Sequence, residues 1–350
     1  MGLGRWKLLR ALGAVAADPA AAADLGLPSA GTTGHDEVFT VNCPPYASLY
    51  AGDDQGRLAA FWATAGLDPP AEPDHLAVLL DGYARLGEAG KDDARRVLFG
   101  EFVWPWLPAY LGAVSDLPPG PLTGWAELTL DALRDEREQD RDLDVGPGGA
   151  LPRALREAPP PVRLGEPGGP GGELPEGLLT PLRSGMILTR RAVTAGAEQV
   201  GAGQRIGNRR RALGVMLAAE PERAARWLAG EADRWARRHA SGQLEPGRDG
   251  AGRDGAGRDR AGRDRAGRDE SAGSDPVQLW WAERAAGTAR LLRSTGALRG
   301  ADEPLGGREP GGAHGARDAQ EGARDAQEGA RDAQEGARGG QEREWVSAAD

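Results

Sequence analysis

Apolar residues in this chain recur at helical spacing in one segment after another, and nowhere do they alternate with polar residues at the period of two that a half-buried strand requires. The clearest stripe is Leu76, Leu79, Leu80, Tyr83 and Leu86, which falls on one face of a helix. Trp6, Leu8, Leu9, Leu12 and Val15 make another, ended by Asp18-Pro19. Leu58, Phe61, Trp62 and Ala65 follow the acidic start Asp53-Asp54 and end at Gly66. A stripe through Val97, Leu98 and Phe102 meets Pro105, which bends or breaks it, and resumes at Leu107, Tyr110, Leu111 and Val114. Leu122, Trp125, Thr129 and Leu133 form one more helix, expected to dissolve in the charge run Arg134 to Asp144. Val38 to Val41 reads as an extended connector, because Pro44-Pro45 stops it and no partner strand lies nearby. The pattern predicts an all-α fold, a single helical-bundle domain.

The second half continues the pattern. Leu178, Leu179 and Leu182 lead to Met186 to Val200, then to Ile206, Leu213, Met216 and Leu217. After Pro221, the residues Ala224, Leu228, Trp235 and His239 share a face. Val277, Trp281, Thr288, Leu292 and Thr295 line a last helix, expected to pack back onto the domain. Between and after these helices the composition changes. Glycine accounts for 54 residues and proline for 26, concentrated in stretches that cannot bury enough apolar surface to offset the entropy of ordering. Residues 247–269 reiterate Ala-Gly-Arg-Asp, and ARDAQEG repeats from Ala316 to Gly336, where only Ala is available for the core of a coiled coil. The expected organisation is therefore a helical domain over 1–298, with a disordered linker at 140–172 and a disordered insertion at 245–274, then a disordered repeat tail at 299–350.

The formal net charge of −10 argues against wholesale phosphate neutralisation. Cys43 is the single cysteine, which excludes an intrachain disulfide and any multi-cysteine metal site, and fits a reducing compartment. The N-terminal apolar run is short and stopped by Asp18-Pro19, a poor signal peptide, and no run of apolar residues is long enough to span a bilayer, so a cytoplasmic location is expected.

Each motif that invites catalytic chemistry fails on spacing. Gly87-Glu88-Ala89-Gly90-Lys91-Asp92 has too few residues between its glycines for a P-loop, and Asp stands where magnesium binding needs Ser or Thr. Gly201 to Gly207 is one residue too long for a dinucleotide fingerprint and follows no strand. The four histidines, His35, His75, His239 and His314, are scattered, and no second cluster joins Glu72, Asp74 and His75 to complete a metal site. Ser48 and Ser184 lack an elbow motif, and Cys43 lacks a partner histidine. A binding protein with no cofactor and no enzymatic activity is expected.

A set of motifs does recur in order: CPPYASLY at Cys43 to Tyr50, EPDHL at Glu72 to Leu76, WPWLPAY at Trp104 to Tyr110, PLRSGMILTR at Pro181 to Arg190, and a Trp-rich helix reaching His239. Together they resemble the TorD family of molybdoenzyme maturation chaperones, with Glu72-Pro73-Asp74-His75 similar to that family's Glu-Pro-x-Asp-His signature. The resemblance implies a cytoplasmic all-α chaperone, a monomer or a helix-exchanged dimer. Its partner would be the precursor of a molybdopterin oxidoreductase; it would recognise the twin-arginine leader, assist cofactor insertion and delay export. The low-complexity stretches depart from the family and leave the client unspecified.

A leader with two guanidinium groups ahead of an apolar segment needs carboxylates beside an apolar or aromatic groove. Glu72, Pro73, Asp74 and His75 are the candidate leader-binding element, with Trp62, Tyr83, Trp104 and Trp106 to bury the apolar part. The plainer reading stands beside it: Asp74 as a helix N-cap, Pro73 as a first-turn residue, His75 as a structural hydrogen-bonder and the indoles as core. Arg183, Arg190, Arg191, Arg205 and Arg209 to Arg211 form the one basic concentration. It is either a solvated helix face or a site for an anion, an acidic client or DNA. The alternative function is thus a helical DNA-binding or scaffold protein acting through Arg183–Arg211 or through the repeat tail.

Overall fold

The computed structural model describes residues 4–52, 55–118, 120–141, 151–163, 173–203, 208–242 and 275–301. The remaining parts of the expected linker, insertion and tail, and the acidic pair Asp53-Asp54, lie outside the described residues. Among the described residues there are helices and turns, with one isolated backbone bridge between Tyr46 and His75 and no strand. The fold is all-α.

Two helices flank the centre of the first half: α1 (Arg5–Val15) lies along what becomes the third main helix, and α2 (Gln55–Thr64) meets it through Trp62. That central helix, α3 (Leu76–Glu88), buries its whole apolar stripe, Leu76, Leu79, Leu80, Tyr83 and Leu86. Its neighbours approach closely because α1 and α3 present glycine at the contacts. A Cβ on Gly13 would stand 3.0 Å from Leu80 Cβ, and one on Gly82 would stand 2.2 Å from the Trp62 ring. The outer edge of the Trp62 indole therefore fits against α3 at Gly82, and the residue is 2% exposed.

After α4 (Asp92–Leu98) the backbone widens into a π-helical turn over Phe99–Val103 and breaks at Pro105, which cannot donate to the helical ladder. Helix α5 (Leu107–Ser115) follows and is buried on every side. It packs against α6 (Pro121–Arg141), which does not dissolve in the charge run. The run stays helical because its charges are used. Arg134 pairs with Asp131 one turn back at 3.3 Å, and Glu136 faces inward at 3% exposure. Glu136 accepts a hydrogen bond from the Tyr83 hydroxyl at 2.6 Å, pairs with Arg95 at 3.6 Å, and accepts from Nε and Nη2 of Arg5.

The stretch Val38–Val41 also differs from the extended connector expected. It belongs to a π-helical turn, Glu37–Asn42, that continues the short helix Gly31–Asp36 and buries Val38 and Phe39, with Phe39 edge-on to Trp125 at 5.3 Å. Part of the expected linker is placed as well: a helical turn Arg153–Arg156 buries Leu155, and Val162 is buried beyond it. These apolar side chains dock the proline-rich stretch together with hydrogen bonds from Arg153 N to Glu101 at 3.1 Å and from Val162 N to the Arg183 carbonyl at 3.3 Å.

The second half comprises α7 (Arg190–Val200), α8 (Arg209–Ala219), α9 (Pro221–Ser241) and α10 (Pro276–Ala301). Helices α9 and α10 pack along their lengths, with the rings of Trp235, His239 and Trp281 in tilted contact at 5.3 and 5.6 Å. The halves are joined by polar contacts. Asp116, just past α5, receives Arg234 at 2.6 Å and Arg238 at 2.8 Å, and Arg238 also donates to the Gly112 carbonyl at 3.1 Å. Among the described residues no single helix is long and apolar enough to cross a membrane. The bent apolar pair α4–α5 passes that test by composition because it forms the core.

Replacing Glu136 with Ala takes from Arg95, 4% exposed, its buried carboxylate and leaves it the exposed Asp92 at 3.3 Å. Urea denaturation is expected to show a loss of about 3 kcal/mol, while Asp135→Ala, on the exposed face, stays within about 0.5 kcal/mol of the parent.

Candidate functional site

Two of the sequence motifs meet through their backbones. Leu76 N donates to the Pro45 carbonyl at 2.8 Å, and Ala47 N donates to the Asp74 carbonyl at 3.0 Å. The Asp74 carboxylate then accepts from Ser48 N at 3.1 Å, at the start of the helical turn Ser48–Ala51. Asp74, 5% exposed, thus caps a turn far away in sequence rather than its own helix. The cap of α3 is His75, whose Nδ1 accepts from Ala77 N at 3.2 Å. An accepting Nδ1 is unprotonated, and burial lowers the His75 pKa, outweighing the opposing pull of Glu72 and Asp74.

Above this layer, the Tyr46 ring sits edge-on to His75 at 5.0 Å, and its hydroxyl donates to Glu72 Oε1 at 3.2 Å. Burial first, and the bond to Glu72 second, raise the Tyr46 phenol pKa. Of the four residues of the signature, Glu72 is exposed, Pro73 half-buried, and Asp74 and His75 buried. Glu72 is the member whose charge faces solvent.

The third motif locks in from below. Tyr50 stacks on Trp106 at 5.5 Å with rings nearly parallel, and its hydroxyl donates to the Pro44 carbonyl at 3.0 Å. Tyr110 donates to the Cys43 carbonyl at 3.0 Å. Cys43 is fully buried, and that burial pushes its thiol well above the usual range, so it is no nucleophile. The fourth motif joins through Asn42, whose Oδ1 accepts from Arg191 N at 3.0 Å, and through Gly52, packed against Leu182. Gly185 holds a left-handed φ of 74°, where a Cβ would strike Ala285 N at 2.2 Å, and its carbonyl faces His239 Nε2 at 3.2 Å.

The aromatic residues expected to bury a ligand's apolar part are placed differently. Trp62, Tyr83 and Trp106 are 2%, 0% and 0% exposed, with Tyr83 bonded to Glu136 and the Trp106 indole to the Phe102 carbonyl. A ring without an exposed face cannot cover a ligand, so these three serve the core. Trp104 is also buried, donating to Asp275 at 2.8 Å, yet it borders a cleft of about 280 Å³ shared with Leu130, Arg137, His239 and Leu279. Sequence reasoning missed Tyr46 and Ser48 as partners of the signature. It also missed Val41 and Leu49, large apolar side chains 44% and 52% exposed on the same CPPYASLY segment or just before it.

A second charged feature lies at the starts of α7 and α8. Thr189 and Asn208 cap these helices, accepting from Ala192 N and Arg211 N at 3.0 and 2.8 Å. Their first turns nevertheless hold Arg190 and Arg191, and Arg209, Arg210 and Arg211, with no acid. A cation at the positive end of a helix costs roughly 0.3–1 kcal/mol.

The chain matches no family model and no solved structure. It is similar to Chaperone protein YcdY of Escherichia coli (strain K12), 34% identical over 112 residues, which are 28% of this chain and 59% of that protein. The chain therefore spans about 59% of the length of the curated relative it matches. The similarity is to a chaperone, and no finer identity follows from it.

The histidine environments set a pH response. His239, buried and next to Arg238, has its pKa lowered to about 4, chiefly by burial. A histidine pKa depressed in the folded state leaves stability intact above its unfolded value, near 6.5, and erodes it as pH falls toward 4. Thermal midpoints measured between pH 7 and pH 5 are expected to fall, and His239→Gln to flatten that slope.

Proposed function

We propose that this chain is a chaperone that binds the precursor of a molybdopterin oxidoreductase, recognising its twin-arginine leader in the cytoplasm, assisting cofactor insertion and delaying export, without a catalytic step of its own. The observation that carries the reading is the meeting of the motifs. Segments dispersed from Cys43 to Gly185 close on one another and leave the Glu72 carboxylate facing solvent beside Tyr46. Similarity to a chaperone and the all-α fold support the same reading.

In this reading the roles within the signature divide. Glu72 pairs with a leader guanidinium, since its two oxygens suit a planar fork of donors. Asp74 and His75 hold the loop by capping Ser48–Ala51 and α3. The apolar part of the leader meets Leu49, exposed on the turn that Asp74 braces, and Val41, exposed on the π-helical turn just before that segment. Burying such a side chain at an interface contributes on the order of 1–2 kcal/mol.

The test is calorimetric titration of the full chain with twin-arginine leader peptides from molybdopterin oxidoreductases. Glu72→Gln is expected to weaken binding roughly tenfold, with an unchanged thermal midpoint, because an exposed charge-assisted hydrogen bond is removed. Leu49→Asp should weaken it as well. Asp74→Ala is expected to lower stability by about 1–2 kcal/mol through loss of the cap. Unchanged affinity in both Glu72→Gln and Leu49→Asp would sink this assignment.

A further inference from the structure

Five exposed arginines cluster where the helices α7 and α8 begin. The two starts adjoin, because Arg209 donates to the Leu188 carbonyl at 3.0 Å, two residues before Arg190. Arg210 pairs with Glu176 at 3.1 Å. Among the described residues, Arg190, Arg191 and Arg211 have no carboxylate within ion-pair distance, whereas Arg134, Arg153 and Arg223 each pair with one within a turn. Acids are not scarce: the chain has 53 Asp and Glu against 43 Lys and Arg. Helix electrostatics alone would place some of them in these first turns, and none is there. The arrangement works against local stability and concentrates unneutralised guanidinium groups on an otherwise acidic protein.

We infer that this arginine face is a docking surface for a carboxylate-rich segment of a partner polypeptide. Glu176 shows the chemistry on the chain itself, a carboxylate held by one of the five. A planar guanidinium pairs equally with phosphate, so nucleic acid is the competing partner. Two observations favour the peptide. Among the described residues no aromatic ring is exposed to stack on bases, and the net charge of −10 repels an extended polyanion beyond the patch. A short acidic segment contacts the patch alone. This surface attracts the opposite charge from that attracted by Glu72, so it extends the client reading to a second, separate contact.

The experiment is fluorescence anisotropy of the full chain with a labelled Glu/Asp-rich peptide of about ten residues at low salt, with a DNA duplex of similar charge as competitor. The parent chain is expected to bind the peptide in preference to the duplex, and added salt to weaken binding. The variant Arg190→Glu/Arg191→Glu/Arg211→Glu is expected to lose roughly tenfold or more in affinity. It should melt at the same or a higher temperature, because acids suit a helix start. Absent peptide binding, equal affinity in the variant, a lower melting temperature of the variant or tighter binding of the duplex would each overturn the inference. A leader peptide titrated in parallel reads the Glu72 site independently, so failure of one contact is separable from failure of the other.

Discussion

The first half of the fold depends on a carboxylate that is out of reach of water. Glu136 lies on α6, and the groups that compensate it come from three other helices: Arg5 from α1, Tyr83 from α3 and Arg95 from α4. A buried charge is tolerated when every oxygen is occupied, and here both are. The apolar stripes, with Gly13 and Gly82 at the contacts, already limit how closely and in what register these helices meet. The ionic cluster adds a directional constraint, because each donor must reach Glu136 from its own helix.

A second constraint comes from Pro105. Breaking a helix leaves carbonyls without amide partners, and such groups must find donors if they are buried. The Pro105 carbonyl accepts from the Trp281 indole at 2.8 Å, and the neighbouring Trp104 indole reaches Asp275 at 2.8 Å. Both partners belong to α10 or the residue that leads into it. The helix break in the first half is thus completed by the second half, and the Asp116–Arg234–Arg238 cluster repeats the arrangement nearby.

Much of the helical layout was legible because it rests on local spacing. The stripe of α3, the stops at Gly66 and Pro105, and the return of the last helix onto α9 all follow from period and breaker residues. What escaped were outcomes decided by partners remote in sequence. The charge run after Leu133 looks like a helix end until Glu136 is seen to have Arg95 and Tyr83 waiting for it. Trp62 looks available to a ligand until Gly82 is seen to clear room for the edge of its ring. Asp74 has the composition of a local N-cap, yet its carboxylate is committed to Ser48, and the cap passes to the next residue. The motifs of the candidate site were legible as a stretch of chain, while the division between its bracing and its outward-facing members required the fold.

The burial of Cys43 has a use of its own. As the single thiol of the chain, it sits where the CPPYASLY and WPWLPAY segments interlock, with its carbonyl held by Tyr110. A thiol reagent cannot reach it until those segments separate, so its rate of alkylation counts their openings without any introduced label. The molecule carries an internal clock for the loosening of the very layer that supports Glu72.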